Sequence, residues 1–144
     1  MERTAPSISQ WIINVAKECG YDFNANKMDG AEVLNCQFPM DGGFQQANLE
    51  IVVRDEIRVT LTPAVEISQE ALPRVNELFK YLNLNEVGEL VLDCDRRTIR
   101  YSLEARFEDI TSDLDITFLW LTPLTRLTAL QNDILDAQES AKEA

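Results

Sequence analysis

Residues 70–105 carry a change of hydrophobic period that constrains the chain more than any other stretch. Leu72, Val75, Leu78, Phe79 and Leu82 recur at steps of three and four, which puts them on one face of a helix. The period then becomes two. Leu90, Leu92 and Cys94 alternate with polar neighbours, and so do Ile99, Tyr101, Leu103 and Ala105. A helix followed by a β-hairpin satisfies both periods. Pairing 94 with 99, 92 with 101 and 90 with 103 keeps both apolar sets on one face, whereas a one-residue slip exposes one of them. That register needs a turn within Asp95-Arg96-Arg97-Thr98 and sets Asp93 opposite Arg100. Arg96-Arg97 is a poor two-residue turn, so a four-residue loop is predicted.

The flanking segments supply cover for this unit. Ser7-x-x-Gln10 has capping-box spacing and predicts a helix over about 8–19, with Ser7 as N-cap. Its stripe is Ile8, Trp11, Ile12, Val15 and Cys19, and Gly20 supplies the left-handed stop. Residues 21–30 read as a polar connection. Three strands follow at about 31–38, 45–53 and 56–62. Their inward residues are Leu34, Cys36 and Phe38, then Ala47, Leu49, Ile51 and Val53, then Ile57, Val59 and Leu61. A tight turn at Arg54-Asp55-Glu56 pairs 53 with 57 and 51 with 59. In the second helix Pro73 is tolerable only in the first turn. Ser112-x-x-Asp115 opens a last helix with the stripe Leu114, Phe118, Leu121, Leu124, Leu127, Leu130, Ile134 and Ala137. Pro123 predicts a kink or a restart in it, and residues 138–144 are expected to fray.

The resulting order, α-β-β-β-α-β-β-α, predicts an α+β fold: one antiparallel five-stranded sheet with helices segregated against it. No repeat or linker divides the chain, so residues 1–144 read as a single domain.

Charge and composition narrow the chemistry. The chain has 25 acidic and 13 basic residues, a net charge of −12. Phosphate backbones and anionic lipid surfaces repel such a chain, so neither nucleic acid nor membrane is expected as a partner, and a basic protein segment is. No histidine is present, which removes His general bases, Ser-His-Asp triads, Cys-His dyads and His metal ligands. Cys19, Cys36 and Cys94 are isolated, odd in number and at apolar-periodic positions. They are expected to be buried thiols in a reducing compartment, which makes the cytoplasm the expected location. Met1–Pro6 lacks a basic region followed by an apolar core, so no secretory signal is expected. The apolar run around Phe118–Leu121 is too short to span a membrane.

Carboxylates remain as candidate chemistry. Asp93 and Asp95 with Asp109 and Asp113 form the one cluster worth weighing for a hard cation, which needs several converging oxygens. Aspartates at a hairpin end more commonly serve the turn. Glu104, Glu108, Asp109, Asp113 and Asp115 read as a solvated surface before a helix N-terminus, where negative charge is favourable. Asp41-Gly42-Gly43 is too short for a phosphate loop and lacks a following Lys-Ser/Thr. No catalytic residue, cofactor or metal ligand is therefore predicted. Two functions of different kinds stay open, a non-catalytic protein-binding module and a carboxylate-only or metal-assisted enzyme. The first is the expectation.

The segments Arg74-Val75-Asn76-Glu77-Leu78-Phe79-Lys80-Tyr81-Leu82-Asn83, Gly88-Glu89-Leu90-Val91-Leu92-Asp93 and Ile99-Arg100-Tyr101-Ser102-Leu103, closed by Leu121-Thr122-Pro123-Leu124, resemble the YbjN family within the type III secretion chaperone-like fold. The resemblance covers Ala71 to Leu135, is one of packing and turns, and contains no catalytic signature; the first half agrees in element order alone. It implies a small acidic cytoplasmic protein, often dimeric, that binds or regulates another protein. A homodimer is expected on that ground, and three apolar helix stripes against one small sheet face point the same way. The partner is expected to be a protein or peptide segment, bound in one of two modes. An edge mode would use the strand carrying Leu34, Cys36 and Phe38. A groove mode would use Trp120, Leu124 and Leu127 around Pro123.

Overall fold

The structure is a computed structural model that describes residues 3–40, 43–82 and 88–142. The first helix, α1 (Ala5–Glu18), begins three residues earlier than the spacing predicts because Thr4, not Ser7, is its N-cap. The Ser7 amide donates to Thr4 Oγ1 at 3.3 Å and the Thr4 amide donates to Ser7 Oγ at 2.9 Å, a reciprocal box. Pro6 falls in the first turn, where its missing N–H leaves no bond unmade. At the other end Gly20 adopts φ +89°. The Tyr21 amide donates to Ala16 O at 2.8 Å and the Gly20 amide to Lys17 O at 3.0 Å, which closes the helix as a Schellman motif.

The sheet has six strands: β1 (Asn24–Met28), β2 (Ala31–Pro39), β3 (Gln46–Val53), β4 (Ile57–Pro63), β5 (Glu89–Asp93) and β6 (Thr98–Ala105). All neighbours are antiparallel in the order β1-β2-β3-β4-β6-β5. The five-stranded expectation thus missed β1. Its residues, Asn-Ala-Asn-Lys-Met, are all exposed and show no apolar alternation. The strand exists through its backbone ladder to β2, Asn24↔Asn35 to Met28↔Ala31. Asp29 and Gly30 join the two strands with φ of +51° and +81°. That is the two-residue turn for which Asp-Gly is the strongest short signal, and it was legible in the sequence.

The β3–β4 register is the predicted one, with Val53↔Ile57 and Ile51↔Val59. The second hairpin is displaced by two residues, to Asp93↔Thr98, Leu92↔Ile99 and Leu90↔Tyr101. An even displacement keeps every apolar residue on its face. The four-residue loop is therefore Cys94–Arg97, and Asp93 faces Thr98 instead of Arg100. Asp93 Oδ1 accepts hydrogen bonds from the amides of Asp95 and Arg96, both at 3.1 Å, and Arg97 sits at φ +57°. These local bonds choose the loop.

The helices α1, α2 (Leu72–Leu82) and α3 (Asp113–Lys142) pack on one side of the sheet. Pro73 is in the first turn of α2, as its chemistry requires. Leu34, Cys36, Phe38, Leu49, Ile51, Val59, Leu61, Ile99 and Tyr101 form the buried sheet face. Ile8, Ile12, Val15 and Ala16 of α1, Val75 and Phe79 of α2, and Ile116, Leu119, Trp120, Leu127, Leu130 and Ile134 of α3 close over it. Each of the three helices buries a face against the six-stranded sheet, but Leu114, Phe118 and Leu121 of the predicted α3 stripe stay exposed.

The third helix runs for 30 residues through Pro123 without a restart. Its C-terminal turns do not fray at 138: Gln138 Oε1 accepts from the Ser68 amide at 2.9 Å, and Gln131 Oε1 accepts from the Phe44 amide at 3.3 Å. These glutamines satisfy loop amides that the sheet leaves without partners.

Two of the three thiols are not core. Cys19 follows α1 and Cys94 has left the strand for the loop, and both are exposed. Cys36 is buried; burial pushes its thiol above the ordinary value, and the Asp22 carboxylate adds to the effect. A variant with Cys19→Ser, Cys94→Ser and Cys36→Ala is expected to fold and to lose roughly 1–2 kcal/mol, nearly all from the Cys36 void. Thermal unfolding measures this, and loss of the cooperative transition would show a structural role for a thiol.

Candidate functional site

The residues predicted to bind a partner lie in the core. Leu34, Cys36 and Phe38 are buried, and their strand, β2, is paired on both sides, with β1 and with β3. Trp120 and Leu127 are buried, and Leu124 is half-buried. The reason for both corrections is the segment after α1. Tyr21 stands 4.3 Å from Phe38 between ring centroids and edge-on to Trp120 at 6.3 Å. Phe23 is 6.4 Å from Phe38 and 6.3 Å from Trp120. The chain that reads as a polar connection thus covers the anchors of both binding modes with two aromatic rings, then continues as the true edge strand.

The sheet ends at β1 and β5. The side chains of β1 are exposed on both faces and offer a passing strand no apolar pockets. Lys27 of β1 lies 3.7 Å from Glu32 of β2. The sheet face away from the helices carries Glu50, Val52, Arg54, Asp55, Glu56 and Arg58 around a shallow depression at the β3–β4 turn. Charges of both signs line it. Arg58 Nη2 donates to Glu104 Oε1 at 3.0 Å, across the β4–β6 pair Arg58↔Glu104.

The candidate carboxylates are dispersed and locally engaged. Asp93 holds the hairpin loop, and Asp109 Oδ2 accepts from the Arg106 amide at 3.1 Å. Asp113 Oδ1 accepts from Trp11 Nε1 at 2.7 Å, which ties α1 to the start of α3. Asp115 accepts from the Thr111 hydroxyl at 2.7 Å and the Thr111 amide at 2.9 Å, while its own amide donates to Ser112 Oγ. The Thr111 bonds hold the Asp115 carboxyl below the usual carboxylate range. Among the described residues no three His, Cys, Asp or Glu side chains converge as metal ligands would.

One surface stands apart. Leu114, Phe118 and Leu121, at i, i+4 and i+7 of α3, are 60%, 48% and 41% exposed. At ~100° per residue they lie opposite Ile116, Leu127 and Ile134, which face the core. The sequence reading placed them on the inward stripe. The signal for the error was present: from Leu114 to Leu124 apolar residues fall on every side of the helix, so periodicity there has no single phase. A helix apolar all round is ordinarily covered all round. Among the described residues, nothing covers the outer half here.

The class is set by these observations: an α+β protein with a six-stranded antiparallel sheet, three helices on one face, and an apolar strip on the solvent side of α3. Comparison of the chain with family models, curated proteins and solved structures finds no match in any of the three. Among the described residues no helix is long and apolar enough to cross a membrane.

Proposed function

We propose that this chain is a non-catalytic protein-binding module, chaperone-like or regulatory, and that it binds through the outer face of the first half of α3. The observation that carries the reading is the exposed strip Leu114, Phe118 and Leu121 on a domain whose core is otherwise closed. The carboxylates support it by their engagement in turns and caps, which leaves them no shared reacting centre. The reading extends to a YbjN-like protein of the type III secretion chaperone-like fold. Its support is the order of α2, the β5–β6 hairpin and α3; the additional edge strand β1 departs from that pattern. Free thiols exposed at Cys19 and Cys94 favour a reducing compartment and hence the cytoplasm.

The test is a paired substitution. Phe118→Ser with Leu121→Ser removes two side chains that are about half exposed, so it should cost about 2–3 kcal/mol and leave the domain folded. It should also abolish capture of the partner from the native extract, while Tyr81→Ser, at a more exposed aromatic on α2, leaves capture intact. Identical captured sets from all three proteins would remove the strip from the function.

A further inference from the structure

Resting on that reading, we infer that the outer face of α3 docks a basic amphipathic helix, seated by its apolar side on Leu114, Phe118 and Leu121. The strip runs lengthwise along α3, so a partner helix lying beside it would meet it with its own residues at i, i+4 and i+7. A strand would need alternate pockets along a sheet edge, and β1 has none.

The charge around the strip is mainly negative, although Arg106 pairs with Glu108 at 3.3 Å and Arg3 donates to Phe107 O just before its start. Glu108, Asp109, Asp113 and Asp115 lie at its start, and the exposed Asp133 and Asp136 lie beyond it on the same helix. From 107 to 141 the sequence contains a single cation, Arg126, which is half-buried at the side of α3. The acidic residues of the first turn are explained by the helix dipole. Asp133 and Asp136 are not, because they lie outside both terminal turns of α3 and the dipole gives negative charge there no benefit. From Asp113 to Asp136 the face is about 35 Å long at ~1.5 Å per residue, the length of a partner helix of some 20 residues.

Other occupants fit less well. A second copy brings another −12 and the same acidic flanks to the contact. Three half-exposed side chains also fall short of the roughly 800 Å² per partner that a stable dimer buries. An anionic membrane would need lysine or arginine beside the strip, where aspartate stands.

The probe is a fluorescent synthetic 18-residue Leu/Lys amphipathic helix. A Leu/Glu helix of equal length and an alternating Val/Lys strand peptide serve as comparisons, and binding to the full chain is followed by anisotropy. The Leu/Lys helix should bind at least about tenfold tighter than either comparison, and raising the salt to ~0.3 M should weaken it. Phe118→Ser with Leu121→Ser should weaken it about tenfold or more, Asp133→Asn with Asp136→Asn a few-fold and with a shallower salt dependence, and Tyr81→Ser not at all. Equal binding of the two helices, preference for the strand peptide, or indifference to the Phe118 and Leu121 changes would overturn the inference. So would concentration-dependent self-association that the same double substitution abolishes, since the strip would then seat a second copy. If the probe fails while capture of a native partner still depends on Phe118 and Leu121, the partner class falls and the binding module stands. If neither depends on them, both fall.

Discussion

Replacing Trp120 with alanine is expected to destabilise the protein by about 3–5 kcal/mol, a large part of the stability of a domain of this size. The indole is 1% exposed and meets Tyr21 and Phe23 at 6.3 Å each. Deleting it opens a void between α3, β2 and the segment after α1, and Phe38 loses its support through Tyr21. Phe118→Ala, two positions away and 48% exposed, should cost about 1 kcal/mol or less. Denaturant unfolding of the two variants side by side decides the rotation of α3. If Phe118→Ala proves the more damaging, the helix is turned the other way, and the exposed strip and everything built on it disappear.

Gly88→Ala is expected to be the second most damaging single change, at roughly 2–5 kcal/mol. Gly88 has φ +79°, a left-handed conformation in which a side chain is strained. A Cβ there would also stand 2.5 Å from Tyr101 Oη and 2.7 Å from Ser102 O. Tyr101 is 1% exposed and cannot swing clear without opening the core, and Ser102 O belongs to the strand backbone. The hairpin must then shift or β5 must detach. Gly30→Ala provides the comparison: its φ is +81° but nothing lies within 4 Å of its Cβ position, so only the backbone strain of about 1–2 kcal/mol should appear. Equal losses at the two glycines would mean that the Gly88–Tyr101 contact is not formed.

The contrast between Trp120 and Phe118 also shows how far the amino-acid order reaches into the candidate site. The sequence marked residues 120–127 as a place where a partner could sit and assigned Leu114 and Phe118 to the inward stripe. It could not say which side of the helix was free, because Leu114–Leu124 is apolar in every direction. The edge mode failed differently. Leu34, Cys36 and Phe38 were placed on the correct face of the correct strand, but nothing in their own pattern says whether another strand lies beside them. That depends on backbone hydrogen bonds, which Asn24–Met28 makes without any apolar signal.

Local chemistry decided a good deal without help. The Arg54-Asp55-Glu56 turn and the alternation on either side leave one register for β3 and β4, since any odd slip would expose Ile51 and Val59. Gly20 ends α1 because a left-handed residue closes the last carbonyls there. Pro73 restricts where α2 can begin. Each of these outcomes is governed by interactions within a few residues, so neighbours in sequence contain all the information. The seat of Trp120 beneath Tyr21 and Phe23, the covering of β2 by β1, and the exposure of Phe118 are set by segments many residues apart. Burial is a property of what lies across from a side chain, and only the assembled helices and sheet determine that.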